Sequence, residues 1–208
     1  PLPMKKDLSK FMEITNMMKA TIWVILLFIT TSATAQSEVE IRNHYQDINK
    51  KITESKEQGY EGSLYCNEWV ANKNGKSWPA VGIYQETIQF WYNDDPNHLP
   101  ASERNPKNVL MKVNISRQSS HLITNEEYLY KDGKLLFFYS HEGEEGNEWE
   151  TRVYYNNKGG SFKSSVKSNG KELTAKDFLT EEYRDFKPKP LSIMEEGRKL
   201  QELFVKSM

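Results

Sequence analysis

Four dipeptides constrain this chain more than any other feature: Asn74-Gly75, Asp132-Gly133, Gly159-Gly160 and Asn169-Gly170. Each tolerates the positive φ angles that a tight hairpin turn demands. The segments around them are runs of aromatic and β-branched residues, the types that fit a pleated, half-buried surface. This punctuation predicts an antiparallel meander with strands over 64–71, 81–92, 109–117, 122–131, 134–140, 149–156 and 161–168. The stretch 93–108, NDDPNHLPASERNPKN, is too polar and proline-rich for anything but a surface loop.

One hairpin supports a register argument. With Asp132-Gly133 as a two-residue turn, Tyr130 faces Leu135, Tyr128 faces Phe137 and Glu126 faces Tyr139. The other face then pairs Leu129 with Leu136 and Glu127 with Phe138. Large apolar side chains point both ways, so both faces of the sheet are expected to be covered. Strand 81–92 changes parity, with Val81 and Ile83 on one face but Ile88 and Phe90 on the other, and a bulge near Gln85-Glu86 would reconcile them. In strand 64–71, Tyr65, Asn67 and Trp69 share one face, while Leu64, Cys66, Glu68 and Val70 share the other. The second set is smaller and more apolar, which predicts an accessible Trp69 and a buried Cys66.

Helical periodicity flanks the meander. Ser37-Glu38-Val39-Glu40 has the form of a capping box, and Ile41, Tyr45, Ile48 and Ile52 then recur on one stripe of a helix that ends near Gly59. Thr174-Ala175-Lys176-Asp177 predicts the cap of a short helix carrying Leu179, Tyr183 and Phe186, which Pro188 and Pro190 break. Ser192 opens a last helix with Ile193, Leu200 and Phe204 inward. The fold class expected is therefore α+β: an antiparallel β-meander of about six to seven strands with an N-terminal helix and C-terminal helices.

The first residues carry an address. Lys19 precedes an uninterrupted apolar run, Ile22 to Ile29, and Ala33-Thr34-Ala35 is an A-x-A cleavage site before Gln36. The run is too short for a bilayer core, which takes about 20 residues. Residues 1–35 are thus expected to be a signal peptide with an upstream extension, and 36–208 a single α+β domain. No cysteine follows the cleavage site, so the expected product is exported to the periplasm or extracellular space, is not a lipoprotein, and has no membrane span after cleavage.

Charge and rare residues narrow the function classes. Lys plus Arg number 28 against 29 for Asp plus Glu, a balance without the basic face that nucleic-acid binding needs. The single cysteine, Cys66, excludes an intrachain disulfide and a multi-thiolate zinc site. None of His44, His98, His121 and His141 stands in a nucleophile-elbow or thiol-protease pattern. The acidic clusters at 94–98 and 141–148 lack the spacing of a calcium loop and read as solvated hairpin loops. Asn114-Ile115-Ser116 is a glycosylation sequon, meaningful only in a eukaryote. No catalytic residue, metal ligand or cofactor is expected. What remains is aromatic: Trp69, Trp78, Tyr84, Trp91 and Tyr92 gather in the first two strands and their turn. They form either core or a stacking platform for a sugar or apolar ligand.

The phrases SWPAVGIYQETIQFWY (77–92), EEYLYKDGKLLFFYS (126–140) and ETRVYYNNKGG (150–160) resemble small exported bacterial proteins of unknown function that share an aromatic, hairpin-rich meander behind a signal peptide. The likeness covers 64–160. The Gly-Lys-x-Leu turns also distantly resemble variant MORN repeats, although their spacing here is irregular. Neither resemblance implies an activity or a site. The function expected is that of an exported, non-enzymatic binding or interaction module, whose partner is a small molecule, a glycan or an envelope protein. The alternatives are a small periplasmic hydrolase, or an envelope-protein inhibitor or chaperone acting through 93–108 and 141–148.

Overall fold

A computed structural model describes residues 38–79, 82–94, 105–144 and 146–208. The signal peptide, the Ser37 cap, Val81, His98 and most of the 93–108 loop lie outside the described residues. The chain divides into two compact units, Pro1–Asn43 and His44–Met208. In the first, the described residues form the opening turn of helix α1 (38–57), where Arg42 donates to Glu38 at 2.7 Å.

The second unit is built on one antiparallel sheet. Its strands are β1 (Tyr65–Ala71), β2 (Ser77–Trp78), β3 (Gly82–Tyr92), β4 (Leu110–Ser119), β5 (Leu122–Lys131), β6 (Lys134–Glu144), β7 (Asn147–Tyr155), β8 (Ser161–Ser168) and β9 (Lys171–Glu172). Spatial order follows chain order, β1-β3-β4-β5-β6-β7-β8-β9, with β2 paired to β3 beside the end of β1. A short helix, α2 (Pro106–Val109), leads into β4, and α3 (Pro190–Ser207) closes the chain. The protein is therefore α+β, an antiparallel meander with a helix at each end. The two shortest strands, β2 and β9, are the ones that the hydrophobic pattern did not announce.

Several local expectations are corrected. The acidic stretch 141–148 is not a loop: β6 and β7 run through it and leave only a tight turn at Gly146, with φ of 85°. The hairpin at Asp132-Gly133 keeps Tyr130 opposite Leu135 but then shifts by one, so Leu129 faces Phe137 and Tyr128 faces Phe138. This bulge brings Leu135 and Phe138 to one face and turns Phe137 to the other, where it meets Tyr45 edge-on at 5.4 Å. β3 needs no bulge near Gln85-Glu86, because its pairing with β4 is continuous from Tyr84 to Trp91 and Ile83 is simply exposed. Residues 174–186 form two 3-10 turns rather than a helix. There the Asp177 carboxylate accepts both the backbone N–H and the hydroxyl of Thr174 at 2.7 Å, closing the turn locally. Leu179 is left 85% exposed, so no apolar stripe supports further helical turns.

Each face of the sheet is covered by a different helix. On one, Phe90, Val113, Tyr128, Phe138 and Val153 stand in register and pack under Leu200 and Phe204 of α3. Gly197 allows that helix to lie close: a Cβ there would come within 3.1 Å of Leu135 and 3.3 Å of the Tyr130 hydroxyl. That hydroxyl instead donates to the Gly197 carbonyl at 2.7 Å. On the opposite face Trp91, Lys112, Leu129, Phe137 and Tyr154 form the matching row, and α1 contributes the buried Ile48 and Ile52.

Candidate binding surface

The α3 face is left open only at one corner, over β1 and β3: farther along the same end Phe186 stacks on Trp149 at 3.7 Å, and Ile115 and Thr124 are buried. Two residues beyond the Phe90–Val113–Tyr128 row, the same strands present Trp69, Ile88, Ile115 and Glu126 side by side. The next row is Ala71, Glu86, Arg117 and Thr124, and beyond it comes Tyr84. Trp78, carried by β2, stacks at a tilt on Tyr84 with ring centroids 4.9 Å apart. Trp69 is 44% exposed and Trp78 is 45% exposed. Tyr84 and Ile88, the neighbour of Trp69, lie four positions apart on β3, so the two aromatic ends stand roughly 14 Å apart along the strand.

Between them lies a charged trio. Arg117 Nε donates to Glu86 Oε2 at 2.7 Å, and its Nη1 is 4.0 Å from Glu126 Oε1. Tyr128 donates its hydroxyl to Glu126 at 3.3 Å. Burial pushes the Glu126 carboxyl up, while Arg117 and the tyrosine hydrogen bond work against that shift. Burial works against the Arg117 charge as well, yet Glu86 and Glu126 hold its guanidinium above the ordinary value. The corner thus combines two exposed indoles, a phenol and a set of partly buried planar charged groups paired with one another.

Of the five aromatics singled out by sequence, Trp69, Trp78 and Tyr84 share this corner. Trp91 does not: it lies on the α1 face, 0% exposed, stacked by Tyr60 at 6.1 Å and by the Lys56 ammonium at 5.5 Å. Strand alternation dictates this, since its neighbours Phe90 and Tyr92 take the other face. Tyr92 is on the α3 face but at its covered end, against Phe204 and Tyr65. Glu86, Arg117 and Glu126 were not foreseen as members, because only strand register brings residues so distant in sequence together. Cys66 is half-buried rather than buried, and burial pushes its thiol up to about 11, so it is no ready nucleophile.

A second polar group sits beneath α1. Lys112, 2% exposed, is 2.7 Å from Glu127, which also accepts from the Tyr45 hydroxyl at 2.6 Å. Asn49 accepts a further hydrogen bond from the ammonium, and the Tyr45 ring lies 4.6 Å from it. Burial pulls the Lys112 ammonium below its ordinary value, with Glu127 opposing. These partners satisfy one another, which makes the group a staple of α1 to the sheet. His44 is 3.1 Å from the Tyr130 carbonyl, and His141 is 3.8 Å from Glu148 on the β6–β7 hairpin. Among the described residues no group of three or more His, Cys, Asp or Glu could hold a metal ion. Asn114 of the sequon lies within β4 rather than on a loop.

No known protein family, curated protein or solved structure matches this chain. Its functional reading therefore rests on the geometry of the open corner.

Proposed function

We propose that this protein is an exported, non-enzymatic binding module that takes a carbohydrate on the open corner of its α3 face. The observation that supports this is the pairing of two exposed indoles, Trp69 and Trp78, with the Glu86–Arg117–Glu126 trio between them. A pyranose ring offers an apolar C–H face to an indole and hydroxyls at its rim. Carboxylates accept from those hydroxyls and a guanidinium donates to them. With two carboxylates and one guanidinium, the trio favours neutral or amino sugars over anionic ones. Export is carried by Lys19, the apolar run Ile22 to Ile29 and Ala33-Thr34-Ala35. No helix among the described residues is long and apolar enough to cross a membrane.

The test is a titration of neutral and amino-sugar oligosaccharides, read by tryptophan fluorescence and calorimetry. Trp69→Ala and Trp78→Ala should each weaken binding about tenfold, equivalent to ~1.4 kcal/mol. Unchanged affinity in both variants would remove the platform. Release of shortened sugars during the titration would replace the binding reading with the hydrolase.

A further inference from the structure

The two edges of the sheet are treated differently. At the far edge, β8 carries Lys163 and Lys167, and β9 pairs with its last two residues. Leu173 then donates its backbone N–H to the Val166 carbonyl at 2.8 Å. Lysines and a covering strand are the usual means of keeping an edge from pairing with another chain. β1, at the near edge, has none of them. Among the described residues it pairs only with β3, in continuous register from Tyr65–Tyr92 to Ala71–Glu86. Its sequence YCNEWVA has no lysine, no proline and no bulge, and Tyr65, Trp69 and Val70 are exposed along it. Every second residue of such an edge turns its backbone N–H and C=O outward.

We propose that β1 is an association surface whose partner is β1 of a second copy of this chain, paired antiparallel about a two-fold axis at Asn67. The side chains select this register. It sets Tyr65 opposite Trp69 of the other copy, twice, and Asn67 opposite itself, a neutral residue whose amide is already held by Ser207 and Tyr92 of its own copy. Cross-strand aromatic pairs stabilise a ladder, and like charges directly opposite destabilise it. Moving the axis to Glu68 would set two carboxylates face to face. Moving it to Cys66 would leave Trp69 opposite Ser63 and forfeit both aromatic pairs. The pairing is isologous, and the guarded β8 edges at both outer ends stop it at two copies. It also places two open corners on one continuous face, so a ligand with repeating units meets both.

The experiment is sedimentation of the full chain over a concentration series, with cysteine cross-linking to read the register. The mass should double as concentration rises. Trp69→Lys, which introduces the missing edge lysine, should weaken dimerisation roughly tenfold or more. Val70→Lys carries the same expectation and keeps the test open if Trp69→Lys unfolds. In a Cys66→Ser background, Asn67→Cys lies on the axis and should give a disulfide-linked dimer under mild oxidation, whereas Tyr65→Cys should not. A monomer at every concentration overturns the proposal. So does a dimer indifferent to both lysines, a cross-link at Tyr65→Cys in place of Asn67→Cys, or a monomer that binds an unrelated extended peptide along β1.

Discussion

One sheet in this protein is covered differently at its two ends. At the end between α1 and α3, neighbouring strands present Phe90, Val113, Tyr128, Phe138 and Val153 in a row sealed by Leu200 and Phe204. A few residues along the same strands, the row becomes Glu86, Arg117 and Thr124, flanked by Trp69 and by Tyr84 with Trp78. The backbone is the same and the residue types overlap, for aromatics occur at both ends. What differs is the cover. Where a helix lies over the face, a ring is core and its loss leaves a cavity. Where none does, a ring is surface and its loss removes only a contact.

The contrast would break most plainly at Phe204. Phe204→Ala removes the ring that α3 sets against Phe90 at 5.8 Å and Tyr92 at 5.2 Å. It should cost about 3–5 kcal/mol, measured as a fall in the denaturation midpoint at constant m-value. A loss below about 1 kcal/mol would mean that α3 does not seal the face.

Alkaline pH sharpens the comparison through the tyrosines under α3. Burial raises the phenols of Tyr128 and Tyr130 far above the ordinary 10.0, with Glu126 adding to the shift of Tyr128 and Glu196 to that of Tyr130. The fold keeps these protons where the unfolded chain releases them. The stabilisation is therefore fully present below pH 10.0 and is lost as pH rises above it. Each of the two should remove ~1.4 kcal/mol per pH unit in that range. The phenolate absorbance of the buried tyrosines should appear only together with the unfolding signal. Ionisation of all the tyrosines within a folded protein would contradict it.

The smallest effect belongs to the open corner. Trp69 touches Phe90 edge-on at 6.4 Å but keeps nearly half its surface in solvent. Trp69→Ala should lower stability by only about 1 kcal/mol, well below the value for Phe204→Ala. Equal losses at the two positions would erase the distinction between the covered end and the open corner.

The strands were legible because their information is local. Turn dipeptides such as Asp132-Gly133, where both residues have positive φ, and alternating aromatic runs place β5 and β8 at their observed limits. The faces of β1 followed from alternation alone, which is why Trp69 was expected to be accessible, whereas Trp91 was grouped with it although β3 buries it on the α1 face. Asp177 shows where local reading fails. Its bonds to Thr174 are those of a capping box, yet no helix follows, because Phe186 is held by stacking on Trp149 at 3.7 Å and Leu179 has nothing to pack against.

By itself, then, the sequence determined the seven long strands, the first and last helices and their order. Backbone propensity, turn chemistry and side-chain periodicity act over a few residues, and a single chain displays them. Only the tertiary structure decided that α3 covers Phe90 and leaves Glu86 open, that the bulge at Leu129–Tyr130 turns Phe137 toward α1, and that Arg117 meets Glu86 and Glu126. Those outcomes depend on strand register and helix placement, which are settled by the burial of many side chains at once and by no residue alone.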